Sequence, residues 1–532
     1  MLRFRSVLVV ALLGILAQTV CAQLPLGSLT APRKTVTFYS LDSSVPPAVV
    51  KRTPQMLPTQ GVIVVLQQPE ALWIGTPQGL VRRASDGSAQ FLAGKRYLPD
   101  DDVRALAPDG AGGVWVRTTT GIAHIDYRPI RLDEKAMELE RIQGERHFRY
   151  GLVADAILDT PGDLRHSHTG PSDNDGLWTS MYAAGECFRY ATTRSPEALA
   201  RAKKSLDAVL FLTTVSGIPG YPARSFVRKG EPLDDDVERW HDAPDPRYRW
   251  KGDTSSDEIV GHFFLYSVAY DLLPGADLHR RIETAVKGIM DNILDHGYYL
   301  VGETGKPTTW GRWSPEYLSS HVGKPDGPLN AIELLSLLKV AMHITHEPRY
   351  EAEYRKVAFQ MGYAELGTRY LELREEINYS DEELFMLAIY PLMTYEKDAN
   401  LLDMYQRALD AWWQNEQREQ NPLWAVIYRR CARGPKLDVA PALKRLAQYP
   451  LNRIEWTVTN SGRADVPMDG GAGRHGCPQT SVLLRLDELP IERWNANPFC
   501  VDGGEGGHKE AEGTTFLLPY WMARYFKLLR VQ

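Results

Sequence analysis

Two kinds of apolar pattern alternate along the C-terminal two-thirds of the chain and predict paired helices. One kind follows a polar loop, often with Gly or Asn, and is apolar or aromatic nearly all round; the other keeps one charged face. The first kind begins near residues 173, 252, 327, 378, 421 and 513, and the second covers 195–215, 277–300, 349–366, 400–420 and 438–448. Six helices apolar on all sides, interleaved with helices that have one wet face, predict a mainly α chain folded as an (α/α)6 toroid. An α-solenoid would need a fixed repeat length, which the sequence does not show.

The region before these helices has a β pattern. Short apolar runs bounded by turn residues predict strands within residues 23–127, and the core Trp-x-x-Thr-x-x-Gly-aliphatic recurs at Trp73 and Trp115, 42 residues apart. This core resembles the two-component-regulator propeller repeat. Because a closed propeller needs at least four blades, we interpret the region as a small β-unit. Residues 128–170 are then a charged connector, and 171–532 form the toroid domain.

The first 22 residues have the pattern of a secretory signal peptide. Residues 1–5 are basic, 7–17 are apolar, and 20–22 fit a cleavage site before Gln23. The apolar run is too short to cross a bilayer, and no later stretch is long and apolar enough. We therefore expect a secreted, periplasmic protein without an integral membrane segment.

Four cysteines remain after that cleavage, and an oxidising compartment permits disulfides. Cys477 and Cys500 are the nearest pair in sequence and lie in loop-rich chain, so we predict a bridge between them. Cys187 lies in an apolar helical run and is predicted to be a small buried side chain. No pair has the CxxC spacing of a zinc site.

Composition narrows the function classes. The net charge of −6 gives no basic field for nucleic acid. The sequence has no P-loop, Rossmann fingerprint, serine-hydrolase elbow or zinc-protease helix, so we predict no cofactor and no metal. The 13 Trp and 25 Tyr are mainly core residues, but some of these rings suit the C–H faces of sugars.

The helix predicted after residue 252 carries the most concentrated candidate chemistry. Glu258, His262 and Tyr266 are spaced by four and share one helical face, with Asp257 in the first turn. One interpretation is structural: the acids cap the helix and His262 is hydrogen-bonded in the core. The other is catalysis or sugar binding. A metal at Glu258 and His262 would lack a third ligand by spacing.

Other candidates lie in loops before predicted inner helices, and each has a structural alternative. An acidic residue followed by a tryptophan opens the first inner helix, two histidines lie upstream, and an aromatic loop with an arginine precedes the third. A glycine-rich loop offers an Arg-His pair without the setting of a nucleotide loop, and a similar loop at 501–513 precedes the last inner helix. In chain order these candidates are His166, His168, Asp175, Trp178, Trp310, Arg312, Trp313, Tyr317, Arg474 and His475.

The motifs at 174–178 (Asn-Asp-Gly-Leu-Trp), 253–258 (Asp-Thr-Ser-Ser-Asp-Glu), 310–313 (Trp-Gly-Arg-Trp) and 474–476 (Arg-His-Gly) together resemble those of the (α/α) toroid carbohydrate-active enzymes. These include uronate polysaccharide lyases and unsaturated-glucuronyl hydrolases. The resemblance implies an oligo- or polysaccharide substrate and, within the group, favours β-elimination at a uronate-containing glycan such as a rhamnose–glucuronate linkage.

Three hypotheses follow from that resemblance. A lyase needs a cation near the uronate carboxylate (Arg312 or Arg474), a base (His262 or His475) and a proton donor (Tyr266 or Tyr317). A hydrolase needs two carboxyls, for which Asp175 with Asp257 or Glu258 are candidates. A non-catalytic glycan-binding protein would keep the aromatic loops and tolerate loss of His262 and Asp257 one at a time.

Overall fold

The computed structural model describes residues 24–25, 30–39, 57–59, 61–234, 236–374, 376–472 and 476–530. Helices dominate the chain after residue 131. They are α1 (Leu132–Arg146), α2 (Asp175–Thr193), α3 (Pro196–Val215), α4 (Ser256–Leu272), α5 (Ala276–Asp295), α6 (Pro315–Ser319), α7 (Gly327–Thr345), α8 (Pro348–Arg355), α9 (Tyr363–Leu366), α10 (Tyr370–Leu373), α11 (Tyr379–Tyr395), α12 (Ala399–Glu416), α13 (Pro422–Cys431), α14 (Ala440–Lys444) and α15 (Thr514–Tyr525).

Six of these helices form a closed inner ring. Neighbours contact one another in the order α2, α4, α7, α11, α13 and α15, and α15 packs against α2 to close it. Their side chains are buried on nearly every face, as the all-round apolar patterns predict. The outer layer consists of α1, α3, α5, α8, α12 and α14, which pack on the ring from outside. This arrangement confirms the predicted (α/α)6 toroid.

The sixth outer helix, α1, lies within residues 128–170, where the sequence pattern predicted no helix. Its inward face carries polar side chains as well as apolar ones, which breaks the amphipathic pattern. Lys135 donates to the carbonyls of Leu446 and Ala447, and Glu140 accepts a hydrogen bond from the hydroxyl of Tyr182. Both side chains are buried, and these contacts with distant residues partly offset the cost of burying them.

The strands are short outside the N-terminal region. They are β1 (Leu24–Pro25), β2 (Thr30–Tyr39), β3 (Val64–Gln67), β4 (Ala71–Thr76), β5 (Gly79–Ala84), β6 (Ala89–Leu92), β7 (Val103–Pro108), β8 (Val114–Thr118), β9 (Ile122–Arg131), β10 (Phe148–Arg149), β11 (Leu152–Val153), β12 (Ala156–Leu158), β13 (Ser167–Thr169), β14 (Ser225–Arg228), β15 (Trp240–Asp242), β16 (Tyr248–Lys251), β17 (Tyr299–Val301), β18 (Pro307–Arg312), β19 (Met468–Ala472), β20 (Pro478–Thr480), β21 (Lys509–Glu510) and β22 (Leu529–Arg530).

The N-terminal β-unit contains two four-stranded antiparallel sheets, with strand orders β3-β4-β5-β6 and β2-β9-β8-β7. The two repeat segments fall on equivalent strands, because Trp73 lies on β4 and Trp115 on β8. Both sheets contribute to one core, in which Trp73 packs with residues such as Leu106 and Val116. The resemblance to propeller repeats stays a prediction beyond this point.

The cysteines behave as expected from the sequence. Cys477 and Cys500 form a disulfide with their Cα atoms 5.9 Å apart. Cys187 is buried in α2, and Cys431 is buried at the end of α13. In the part of the chain that the structure covers, no helix is both long and apolar enough to cross a membrane.

Candidate active site

The loops before the inner helices gather at one end of the toroid, and a cavity of about 260 Å³ opens there. Trp178 in the first turn of α2 and Thr515 in the first turn of α15 form part of its wall. The rest comes from the segments 153–157, 170–172, 492–495 and 509–512, together with Arg453. We call this the mouth cavity.

Two tryptophans face the mouth cavity. Trp178 is half-buried, and Trp494 is buried against Trp424 of α13 with ring centroids 5.6 Å apart. Ile157 adds an exposed aliphatic side chain at the same wall. Rigid aromatic surface with a wet edge suits the C–H faces of a sugar ring.

Three cations line the same cavity. The guanidinium of Arg453 is fixed because its Nε donates to the carbonyls of Ala511 and Glu512 and its Nη2 donates to the Thr515 hydroxyl, 3.0 Å away. Arg493 and Lys509 are half-buried. Arg493 is paired with Glu455, so Arg453 and Lys509 are the cations that can hold an anionic group such as a uronate carboxylate.

Asp155 and Glu512, two of the carboxyl residues that line the cavity, adjoin through the backbone of Glu512. The backbone N–H of Glu512 donates to Asp155 Oδ1 at 3.0 Å, and the Asp155 side chain is 31% exposed. Burial raises the pKa of Glu512 above its ordinary value, although hydrogen bonds from Thr514 oppose that shift. Glu512 therefore keeps its proton to higher pH than an ordinary glutamate, which is what a general acid requires.

The face of α4 that carries the candidate catalytic residues is buried against α2. Glu258, His262 and Tyr266 have no exposed surface, and Glu258 Oε1 accepts a hydrogen bond from the Leu177 N–H instead of capping its own helix. The helices α2 and α4 pack closely because each has a glycine at the contact, Gly176 on α2 and Gly261 on α4. A Cβ on Gly176 would lie 2.0 Å from Glu258 Oε2.

His262 is fully buried beside the Glu258 carboxyl and the Tyr266 ring. Its Nδ1 lies 2.6 Å from the Glu258 carbonyl oxygen, and burial lowers the pKa of His262 to about 4. Among the described residues, His262 Nε2, Tyr266 Oη and Glu258 Oε2 have no hydrogen-bond partner. These side chains do not reach the mouth cavity, so the structure favours the packing interpretation that the sequence left open.

Asp257 is one of three neighbouring carboxyl residues on successive inner helices. It is half-buried in the first turn of α4, whereas Glu333 on α7 and Glu383 on α11 are buried. Burial, with a further contribution from Asp257, raises the pKa of Glu333 to about 8 and also raises that of Glu383. The indole N–H of Trp313 donates to Glu333 Oε2 at 2.7 Å. Trp313, one of the candidates in the aromatic loop, is fully buried and offers no free face for a substrate.

Asp175 is likewise buried in a structural network. Its Oδ2 is bound by the guanidinium of Arg149 and the hydroxyl of Ser225, and its Oδ1 accepts from Ser172. A carboxylate without exposed surface and with all these donors supports the start of α2. It is not placed to act on a substrate in the mouth cavity.

The aromatic hairpin formed by β17 and β18 lies at the rim beside α4. The Thr309 N–H donates to Asp253 Oδ1 at 2.8 Å, which ties the hairpin to the loop before α4. Trp310 is 54% exposed. Arg312 lies over the ring of Tyr317 at 5.6 Å, and the Tyr317 hydroxyl donates to Asp326 at 3.0 Å. The hairpin is available for substrate but does not line the mouth cavity.

The two predicted histidines lie on the outer edge. His166 Nδ1 is 2.8 Å from Asp163, and His168 Nδ1 is 3.4 Å from Asp159. On β13, His168 pairs with Ile157 of β12, so His168 is next to a wall of the mouth cavity. Arg474 and His475 lie outside the described residues.

Sequence reasoning missed most of the residues that line the mouth cavity. Arg453, Arg493 and Trp494 belong to irregular chain without helical or strand periodicity. Glu512 lies in the glycine-rich loop before the last inner helix, which was the one available signal. In the described part of the chain, no group of three or more His, Cys, Asp or Glu residues has the geometry of a metal site.

The β-unit holds the segment that leads into this cavity. The Phe91 N–H donates to Glu488, Arg96 donates to the Leu489 carbonyl at 2.9 Å, and the Tyr97 hydroxyl donates to the Asp487 carbonyl at 2.6 Å. Residues 487–489 come just before Glu492 and Trp494. The N-terminal unit therefore fixes one wall of the candidate site.

No protein-family model matches the chain, and no curated protein is significantly similar to it in sequence. Several solved structures resemble it in fold. An unsaturated glucuronyl hydrolase specific for heparin has a TM-score of 0.39 at 10% identity, covering 74% of this chain and 95% of its own. A sugar epimerase from a ruminal bacterium has a TM-score of 0.38 at 12% identity, covering 74% and 98%. A thermostable endoglucanase from Alicyclobacillus acidocaldarius has a TM-score of 0.34 at 13% identity, covering 88% and 97%. Because these TM-scores are below 0.5, the function has to be argued from the site.

Proposed function

We propose that this protein is an exported carbohydrate-active enzyme that cleaves a uronate-containing glycan in the mouth cavity. One observation carries the proposal: Asp155 and Glu512, two carboxyls in different environments, line the same cavity as Trp178 and Trp494. Tryptophan faces would hold the sugar ring, and Arg453 and Lys509 would attract its carboxylate.

Hydrolysis is the reaction that this pair of carboxyls supports best. Glu512, with its raised pKa, would donate a proton to the glycosidic oxygen as the bond to the anomeric carbon breaks. The Asp155 carboxylate would attack that carbon or take a proton from the attacking water, depending on the carboxyl separation in the bound complex. Water supplies the hydroxyl and the proton that the two products gain.

β-Elimination is the second candidate, and Arg453 and Lys509 favour it. A lyase must neutralise the uronate carboxylate so that the proton on the neighbouring carbon can be removed. The cations of the mouth cavity meet that need, but its described lining residues include no His or Tyr to serve as base and acid. Of the bases and proton donors that the sequence suggested, His262 and Tyr266 are buried away from this cavity, so His475 as base and Tyr317 as proton donor stay predictions.

Products distinguish the two reactions. Purified protein is incubated with uronate-containing plant and algal polysaccharides, and new reducing ends are measured together with ultraviolet absorbance. Hydrolysis gives reducing ends without absorbance, whereas elimination also creates a double bond conjugated to the carboxylate. The variants Glu512→Gln and Asp155→Asn should each lower kcat about 10²- to 10⁴-fold, while Glu316→Gln, on an exposed carboxyl of α6, should not change it. Full activity in both cavity variants would exclude this site.

Export is the remaining part of the proposal. The N-terminal pattern and the Cys477–Cys500 disulfide support it, since structural disulfides belong to oxidising compartments. N-terminal sequencing of the protein recovered from the periplasm should begin at Gln23. A retained residue 1 would contradict the signal-peptide assignment.

A further inference from the structure

A second cavity of about 440 Å³ lies beside the mouth cavity, and neither reaction considered above uses it. It opens at the same end of the toroid, because Tyr379, the first residue of α11, forms part of its wall. Glu492, Arg493 and Asn495 line both cavities. The two spaces are therefore neighbours, separated by one short segment of chain.

The second cavity is more acidic than the mouth cavity, where Arg453, Arg493 and Lys509 are matched by three carboxyl residues, Asp155, Glu492 and Glu512. Its lining includes the carboxyls of Glu455, Glu492, Asp502 and Glu505. Arg493 is the cation among its described lining residues, and its Nη2 is bound to Glu455 at 2.6 Å. Arg453 and Lys509, the other two cations of the mouth cavity, do not line it. Among the described lining residues, an anionic sugar placed here would meet four carboxyls and one arginine that is already paired with Glu455, which disfavours its binding.

Its uncharged lining suits hydroxyl groups and ring faces. Tyr379 is half-buried, and the amide of Asn495 supplies a donor and an acceptor, whereas the amide of Asn497 is bound to Gln479 and Phe499. Leu486 and Ile491 add apolar surface. The Cys477–Cys500 disulfide lies in the wall, and the isolated bridge between Gln479 and Cys500 ties it to β20, so the cavity is preformed.

We infer that the second cavity is a subsite for an uncharged sugar residue, joined to the uronate that occupies the mouth cavity. The inference rests on the proposed function and makes it more specific: the cleaved or bound linkage joins an acidic sugar to a neutral one. Arg493 lies at the division between the subsites, 2.6 Å from Glu455 on one side and 3.9 Å from Asp155 on the other.

Binding rather than turnover tests this subsite, so its failure differs from failure of the enzymatic proposal. Titration calorimetry with Glu512→Gln protein compares three probes: a uronate monosaccharide, a uronate joined to a neutral deoxyhexose, and a uronate joined to a second uronate. The mixed disaccharide should bind about 10-fold more tightly than the acidic one. The Asn, Tyr and apolar side chains are expected to supply about 1.4 kcal/mol.

A charge-reversal variant gives the more discriminating test of the subsite. Glu505 is exposed, and its side chain makes no hydrogen bond in the described structure, so Glu505→Lys should fold normally. Added to the Glu512→Gln background, it should bring the two disaccharides to within about 2-fold of each other. Glu70→Lys, an exposed site in the β-unit, is the matched control and should keep the selectivity.

Tyr379→Phe removes one hydroxyl from the second cavity only. It should weaken the mixed disaccharide several-fold and leave the uronate monosaccharide unaffected. Any one of three results would overturn the subsite. The first is equal weakening of both probes by Tyr379→Phe, the second is equal affinity of the two disaccharides in the parent protein, and the third is a selectivity that Glu505→Lys leaves unchanged. Selective binding without any cleavage would keep the subsite and reject the enzymatic proposal.

Discussion

The side-chain amide of Gln90 in the β-unit donates to the buried carboxylate of Asp487 at 2.8 Å, across 397 residues of sequence. Both side chains are buried, so the contact is shielded from water. Asp487 begins the segment that continues to Arg493 and Trp494, two residues of the mouth cavity. The β-unit and the candidate site are thus mechanically linked.

We expect Gln90→Ala to impair substrate binding more than folding. Loss of the amide leaves Asp487 with one donor fewer and loosens the wall that carries Trp494, which should raise KM about 3- to 10-fold. Circular dichroism and steady-state kinetics check this result. Gln67→Ala, at an exposed edge of the same unit, is the control and should leave KM unchanged. An unaltered KM in Gln90→Ala would show that the segment holds its position without the β-unit.

The proposed acid predicts the alkaline limb of the pH profile. Burial raises the pKa of Glu512, so the proton needed by the leaving group is present at low pH and is lost as pH rises through that raised pKa. Turnover should therefore fall on the alkaline side. In Glu512→Gln that limb should disappear, and an aryl glycoside with an acidic leaving group should recover much of the lost rate because it needs no proton. An unchanged limb in this variant would assign the titration to another group.

Glu333 predicts a pH dependence of stability. In the folded protein burial raises the pKa of Glu333 to about 8 from the ordinary value of 4.5. Between these two values the unfolded chain ionises this group and the folded chain does not, so the wild type loses stability as pH rises, by about 1.4 kcal/mol per pH unit.

Glu333→Gln should remove this slope. The amide oxygen can still accept the hydrogen bond from Trp313, and the group no longer ionises. Urea unfolding at pH 5 and pH 8 should give a variant whose advantage over the wild type grows with pH. Parallel losses in the two proteins would contradict the assignment. Glu365→Gln, at an exposed position of α9, is the control.

The buried position of His262 predicts a structural phenotype. His262→Ala would leave a hole between α2 and α4, and we expect it to lower the free energy of unfolding by about 2–4 kcal/mol. Activity per folded molecule should remain, since the side chain does not line the mouth cavity. Denaturant titration combined with active-site titration separates these effects. Loss of turnover without loss of stability would return His262 to a catalytic role.

The inner helices could be predicted from the sequence. A helix that is buried on all sides has a long apolar run, as in 327–345, whichever helices it packs against. The helix α1 could not be predicted, because Lys135 and Glu140 are buried through contacts with distant residues that no local pattern reveals. Which way a side chain points also depends on how each helix is rotated in the ring. For that reason the sequence singled out Trp313 and His262, both buried, and missed Arg453 and Trp494, which come together only in the folded chain.

The packing of α15 on α2 sets a condition on how the molecule is made. The inner ring cannot close until its last helix, α15, has been synthesised. The face of α2 that packs on α15 therefore stays exposed while more than 300 further residues are made. Chains that stop before residue 514 should expose this apolar seam and aggregate or require chaperones. A secretory chain would keep that seam from closing until translocation is nearly finished, which is compatible with transport in an unfolded state.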